Sequence, residues 1–450
     1  MRVPVITVLP ATQPLRDSAA AGMRRTGPTD LSNVSRPSGL QLDPNFNAVP
    51  LGSGRVESSP SAATHSPENS EAFAVRGFVE ADSSEQIPPT IDGRPIFADP
   101  QISHFLTCGG TPPVGTHVDV AQKLNVAGLA GRGLDGSGVA VAVLDTGINL
   151  AHLNAKLGPG RQPLFDAGNS WTPQGSTNAP GAYPVDHGTM CAFDVLIAAP
   201  KATLLDFPIL GSSAPGGAVV GRTLSVALLG FSQLLAFWAV AFAPGGGPRY
   251  KALVVSNSWG IFHPSWDFPP GHPGRFIDSP NHPFNILVGT LVRSGADIIF
   301  AAGNCGSQCA DGRCQARTTQ TIMGSSALQD VLTLAGCDIT DARVGYSSQG
   351  PSIAGMFQHK PDITAYTHFS GSEAFGPGSP DSGTSAACPV ASGCVAALRT
   401  KIGAGTVPPA NLFASLRASA RPRPGAAAGW NGDYGFGIID PLAVATANGV

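Results

Sequence analysis

Gly136-Ser137-Gly138-Val139-Ala140-Val141-Ala142-Val143-Leu144-Asp145-Thr146-Gly147 is a glycine-flanked turn, then a continuous apolar run, then an acid. A run that is apolar at every position, not at alternate ones, fits a strand covered on both faces, as in the centre of a parallel sheet. Parallel strands need crossover connections, so the run points to an α/β architecture. Asp145 then falls at the carboxyl end of the strand, where open α/β sheets place their chemistry. Taken alone, the same acid reads equally well as the start of a turn.

Two other stretches bear on that choice. Asp381-Ser382-Gly383-Thr384-Ser385-Ala386-Ala387-Cys388-Pro389 crowds small residues around one serine and leads into an apolar helix pattern, Val390 to Leu398. Ser385 suits the N-cap of that helix, and Pro389 is expected near its start, where a missing N–H costs nothing. A serine at a helix N-terminus is either a plain cap or a nucleophile beside free N–H groups able to hold an oxyanion. Asp186-His187-Gly188-Thr189-Met190-Cys191-Ala192 opens a second apolar helix, running to about Ala198, which leads into a β run at 202–208. His187 there could project into a cleft, although a lone histidine at a helix start is more often a cap or a surface residue.

With 450 residues the chain can form two or three domains, or one large α/β domain with extensions. Apolar residues make up 42% and charged residues 13%, with 56 Gly and 41 Pro, which describes a globular protein rich in tight turns with unstructured segments. A net charge of −3 gives no reason to expect a nucleic-acid or anionic-membrane partner. Eight cysteines in this length do not make a disulfide scaffold. Cys191, Cys388 and Cys394 read as buried thiols. Cys305, Cys309 and Cys314 cluster in a polar loop that could hold a disulfide or a zinc ion; the spacing lacks a paired C-x2-C form, so a metal-free structural loop is expected.

Residues 1–71 read as a disordered N-terminal extension, with Ser58 to Glu71 rich in Ser, Pro and Ala. The opening Met1–Pro10 has too short an apolar run for a secretory leader, so a cytoplasmic location is the default expectation, with secretion by another route left open. Residues 72–117 read as a small accessory segment with β patterns at 74–80 and 94–99, followed by a linker at 102–117 containing Gly109-Gly110. The main domain is expected over 118–450, opening with a helix at 118–126. Val226 to Ala243 is uncharged and long enough for a membrane span, but Leu228, Phe231, Leu235, Trp238 and Phe242 repeat at helical spacing, and a buried core helix with no membrane span is expected.

Asp-Thr-Gly at 145–147, His-Gly-Thr at 187–189 and Gly-Thr-Ser-Ala at 383–386 resemble, in that order, the three catalytic blocks of the subtilisin-like serine peptidases, the subtilases. Val254–Gly260 resembles their substrate-binding strand, Ile298–Asn304 their oxyanion block, and Gly432–Asp440 their closing segment. The resemblance spans roughly 118–446. It implies a three-layer α/β/α fold around a mainly parallel sheet, and a serine endopeptidase that needs no cofactor and acts on protein or peptide substrates. Asp145, His187 and Ser385 would be its catalytic residues and Asn304 its oxyanion asparagine. Ser258, Trp259 and Gly260, with Ala301, Ala302 and Gly303, would bind substrate.

The chain between His187 and the strand at 203–207 is too short for the calcium loop of many secreted relatives, so no metal is expected there. The family is often made with an inhibitory prodomain, which residues 72–101 faintly resemble, giving a possible intramolecular prodomain and a zymogen. A narrow precursor-processing peptidase and an inactive binding relative are the alternatives to a degradative enzyme. The intact blocks argue against the inactive one. Sedolisin-like peptidases share the Gly-Thr-Ser block but use Glu in place of His187 and Asp near the oxyanion, so His187 and Asn304 argue against them.

Overall fold

The computed structural model describes the chain except residues 26, 28, 30, 53–64, 105–110, 159, 213–222, 243–248, 424 and 426. Its N-terminal part contains β1 (Arg2–Pro10), α1 (Gln13–Arg24), β2 (Leu40–Leu42), β3 (Val49–Pro50), β4 (Ala72–Glu80), β5 (Thr90–Ile91) and β6 (Arg94–Ala98), followed by the short β7 (Ser103–His104). The main part runs through α2 (His117–Lys123), α3 (Val126–Gly131), β8 (Val139–Asp145), α4 (Leu150–Leu157), β9 (Leu164–Phe165), α5 (His187–Ala198), β10 (Thr203–Pro208) and α6 (Leu224–Ala241). It continues with β11 (Ala252–Asn257), β12 (Trp259–Gly260), α7 (Pro283–Ser294), β13 (Asp297–Ala301), β14 (Leu332–Cys337), β15 (Ile363–Tyr366), α8 (Thr384–Arg399), α9 (Pro409–Ser419) and α10 (Pro441–Ala447).

The central sheet has the order β15-β14-β13-β11-β8-β10-β9, and its paired strands run parallel. The continuous apolar run is β8, and its alternation explains why every position is apolar. Val139, Val141 and Val143 enter one core with α5 and α8; Ala140, Ala142 and Leu144 enter a second core with α6 and α7. Successive side chains of a strand point to opposite faces, so two helical layers enclose one sheet, the expected α/β/α sandwich. Helix α6 has the length and apolarity of a membrane span, but 67% of it is buried, with Leu228, Phe231 and Leu235 packed into the second core.

The expected helix over 118–126 is instead two short helices. Asn125 takes a left-handed conformation, with φ 52°, and its side chain caps α3. Cys305 and Cys314 form a disulfide, and Cys309 is disulfide-bonded as well; Cys108 and Gly109-Gly110 lie outside the described residues.

The reading of 1–71 as disordered does not hold for the described residues of 1–52. There β1 pairs antiparallel with β4 over its whole length and with β6 at Val5–Thr7, inside a sheet of order β2-β4-β1-β6-β5. The sequence hid this for identifiable reasons. Pro4 breaks the apolar run, yet it sits where only β4 pairs with β1, so its missing N–H interrupts no ladder on the β6 side. Helix α1 buries Ser18, Ala19 and Ala21 with Leu15, so no stripe of large apolar residues marks it. Strands β2 and β3 are too short to display a period. Of the Ser58–Glu71 stretch, residues 58–64 fall outside the described part.

This N-terminal unit is fastened to the main sandwich. Its sheet gives one face to its own core with α1, while Ile6, Val49 and Ala74 enter the core that contains α6. Asp99 accepts hydrogen bonds from Ser225 N–H at 2.7 Å and Ser225 Oγ at 2.9 Å, placing a carboxylate at the N-terminus of α6, where the helix dipole favours it. Ala98 N–H donates to Gly274 O, and a side chain at Gly274 would clash at 1.9 Å with Ile96 O. The expected linker at 102–117 also begins with ordered backbone: Ser103 pairs with Gly260 and His104 with Trp259, antiparallel, as β7 against β12.

Candidate active site

Asp145 ends β8 and is 1% exposed; His187 opens α5 and is 2% exposed. Asp145 Oδ1 and His187 Nδ1 are 2.8 Å apart. The residues around both explain the local fold. Asp186 caps α5 by accepting from the His187 N–H, and Ser212 Oγ donates to its other oxygen. Thr146 Oγ1 accepts from Gly188 N–H at 2.9 Å and Thr189 Oγ1 from Asn149 N–H at 3.1 Å, which ties the loop after β8 to the first turn of α5. Gly188 must be glycine, because a Cβ there would lie 2.6 Å from Gly147 O.

Cys191 lies one helical turn beyond His187. Its Sγ is 3.6 Å from Asp145 Oδ2, 3.8 Å from His187 Nδ1 and 3.6 Å from Ser385 O. Asp145, His187 and Cys191 are metal-ligand types in one cluster. Nevertheless, burial, with Asp145 adding to it, pushes the Cys191 thiol well up, so it stays protonated and acts as a donor. The Asp145–His187 hydrogen bond also occupies the imidazole nitrogen a metal would need.

Ser385 corrects one expectation. The N-cap of α8 is Gly383, at φ 80°, and Ser385 is the second helical residue. Pro389 lies well inside α8, not at its start. The consequence is local and useful. A proline at 389 offers no N–H to the carbonyl four residues earlier, which is Ser385 O. That carbonyl instead accepts Ser258 Oγ at 2.9 Å and Cys191 Sγ. Ser385 Oγ in turn lies 3.4 Å from Ser258 O. The helix N-terminus is thereby bound to the end of β11 and to the first turn of α5. Gly393 allows α5 and α8 to approach, since a Cβ there would come 2.3 Å from Val195 O. Among the described residues, His187 Nε2 is buried without a hydrogen-bond partner.

Asn304 follows β13 and is fully buried. Its Oδ1 accepts Thr384 N–H at 2.9 Å and Thr384 Oγ1 at 3.0 Å. The amide nitrogen faces the start of α8: a Cβ on Gly383 would be 2.7 Å from Nδ2. Ala301 ends β13, Ala302 N–H donates to Leu334 O, and Gly303 N–H donates to Thr384 Oγ1 at 3.0 Å, all buried beside α8. Gly260 and Ser258 flank Trp259, whose indole is in the core between Phe284 and Phe300 and donates to Asn257 Oδ1 at 3.2 Å. Trp259 therefore presents backbone to the cleft, and its side chain does not form a pocket wall there.

Two residues were not legible in the sequence. His104 lies with its ring 4.6 Å from that of His187, and burial together with the neighbouring His187 lowers its pKa to about 4. Arg313 donates to Ser103 Oγ at 2.8 Å and to His104 O at 3.1 Å. Neither carries a motif: His104 sits in a stretch that reads as a linker, and Arg313 in a loop whose cysteines draw the attention.

A model of the Subtilase family matches residues 136–437, more than half of the chain. No curated protein matches. The chain is similar to solved structures of MycP1. The form with the N-terminal propeptide removed is 22% identical, over 72% of this chain and 96% of that one, with a TM-score of 0.48. MycP1 from the ESX-1 type VII secretion system is 20% identical over 77% and 88%, with a TM-score of 0.48. MycP1 from Mycobacterium smegmatis is 20% identical over 77% and 89%, with a TM-score of 0.47. With its family blocks on the carboxyl ends of parallel strands and on the first turns of α5 and α8, this chain belongs to the subtilase family and is a subtilisin-like serine peptidase.

Proposed function

We propose that the chain hydrolyses peptide bonds through Asp145, His187 and Ser385, with Asn304 in the oxyanion site. The observation that carries this is the buried 2.8 Å Asp145–His187 contact, with the other imidazole nitrogen unpartnered and the Ser385 carbonyl tied to the same cluster through Cys191 Sγ. A serine hydroxyl is a weak nucleophile near neutral pH. His187 Nε2 takes the Oγ proton as Oγ bonds to the carbonyl carbon, and the carbonyl π pair moves onto oxygen. The Asn304 amide and the Ser385 N–H at the start of α8 stabilise that oxyanion. Collapse breaks the C–N bond, His187 protonates the leaving amine, and water then cleaves the acyl-enzyme by the same route. Asp145 holds the imidazole tautomer and stabilises the imidazolium. The test is digestion of an unfolded protein by the wild type and by Asp145→Asn. A loss of about four orders of magnitude in kcat is expected, and equal activity of the two proteins contradicts the assignment.

A second reading concerns regulation. We infer that residues 1–104 act as an intramolecular prodomain, longer than the expected 72–101 segment. Support comes from β7, which occupies the edge of β12 and lays His104 on His187. Intact full-length protein with full activity contradicts it. The Cys305–Cys314 disulfide favours an oxidising compartment over the cytoplasmic default. Whether the enzyme is a broad degrader or a narrow processor is decided by counting cleavage sites in a panel of unfolded proteins.

A further inference from the structure

The chain's own β7 marks how an extended peptide runs through the cleft. From Ser103 to His104 it moves antiparallel along Gly260 and Trp259, and so heads toward Ser258 and Ser385. If a substrate follows this path, the residue opposite Ser258 precedes the scissile bond, and the residue opposite Trp259 is the second one upstream, P2. In an antiparallel pair, alternate backbone groups point away from the partner strand. The carbonyl of His104 is such a group, and it is taken by Arg313 from the other side.

Arg313 is held for this task. The loop leaves Asn304 directly and is closed by the Cys305–Cys314 disulfide. Asp311 grips the guanidinium at Nε and Nη2, 3.0 and 2.9 Å away, and the guanidinium carbon stands 3.7 Å over the Phe262 ring. Both of these neighbours lie on the loop or main-domain side, so the position of Arg313 does not depend on the docked segment. Nη2 also donates to His104 O, and Nη1 donates to Ser103 Oγ. The fork edge of the guanidinium is fixed on Asp311, which leaves a directed N–H for a backbone carbonyl, and a charge-assisted bond is stronger than a neutral one.

We propose that Arg313 is a substrate-binding residue that takes the P2 carbonyl, with an added preference for a hydroxyl side chain at P3. This rests on the proposed catalytic site and extends it to a residue outside the family blocks. Because the carbonyl belongs to the backbone, Arg313 strengthens binding of every extended substrate, whereas the P3 hydroxyl contact selects among them.

The test uses the full-length protein and two substrates: an acyl-Ile-Ser-His-Phe anilide, copying residues 102–105 of the sequence, and an acyl-Phe ester too short to reach Arg313. The ratio of their kcat/KM values cancels any change in the fraction of sites covered by the chain's own segment. Arg313→Ala is expected to lower that ratio about ten-fold or more. An unchanged ratio in a folded variant overturns the proposal. Replacing the His carbonyl oxygen of the anilide by sulfur, a weaker acceptor, gives a second reading. The penalty is expected in the wild type and absent in Arg313→Ala, and an equal penalty in both overturns the proposal. Arg313→Lys, which keeps the charge but loses the fork, serves the same comparison if the alanine variant does not fold. Wild type that cleaves neither substrate, or cleavage that survives Ser385→Ala, overturns the catalytic reading itself and not only the role of Arg313.

Discussion

At the scale of single residues, the chemistry is set by what each buried polar group is allowed to touch. Thr384 anchors the Asn304 oxygen and so leaves the amide nitrogen pointed at the first turn of α8. Asn304→Leu is expected to lower kcat about 10²–10³-fold with little change in KM, as steady-state kinetics would read, because the proposed contact is to the developing oxyanion. Asp206 poses a different problem. Its Oδ2 accepts the N–H groups of Gly181 and Ile148, its Oδ1 is buried without a partner, and burial raises its pKa to about 7. The native state therefore holds this proton more tightly than the unfolded chain does. The stabilisation is complete below the ordinary carboxyl pKa and is lost as pH rises toward 7, on the order of 4 kcal/mol. Asp206→Asn keeps the acceptor and removes the titration. The Tm of wild type should fall relative to that of the variant between pH 5 and pH 8, and parallel curves would contradict the assignment. The pairing of Asp145 with His187 was legible in the sequence because their two blocks bind each other through Thr146 and Gly188, while Thr384 ties the Ser385 block to Gly303 and Asn304, so these motif letters are also packing contacts. Arg313 and His104 were not, because each acts through a contact between segments more than 200 positions apart.

At the scale of elements, the sandwich depends on close approach of α5, α8 and the central strands. Gly393→Ala would push Val195 O and α8 apart, and a destabilisation of about 1–3 kcal/mol is expected in chemical denaturation, with lower activity because Ser385 rides on the same helix. The far end of α8 carries Arg399, fully buried, whose Nε and Nη2 bind Asp297 at 2.6 and 2.7 Å while Nη1 donates to Ile402 O and Val407 O. Arg399→Ala strands a buried carboxylate at the start of β13 and is expected to cost about 3–5 kcal/mol; a loss below 1 kcal/mol would contradict that. The long elements were legible in the sequence, since β8 is apolar on both faces and α6 is apolar nearly all round. Boundaries that depend on one residue were not. The break at Asn125 needs a left-handed backbone that asparagine permits without announcing, and the cap of α8 falls on Gly383, whose φ of 80° glycine accepts without strain.

At the scale of the whole molecule, the N-terminal unit and the sandwich form one packed body whose last strand lies in the cleft. The unit escaped a sequence reading because its strands are short or punctuated by proline and its helix buries small residues, while its stability comes from pairings up to 93 positions apart and from Asp99 and Gly274 at the seam. If β7 blocks the site, His104→Gly should speed covalent labelling of the full-length protein several-fold by removing the ring that lies against His187, and an equal or slower rate would contradict the prodomain reading. The central claim, that Ser385 is a nucleophile activated by the Asp145–His187 pair, is tested most directly by labelling with a fluorophosphonate probe, comparing wild type with Ser385→Ala and His187→Ala. The account predicts a labelled wild type and two unlabelled variants of the same fold; labelling that persists in Ser385→Ala would contradict it.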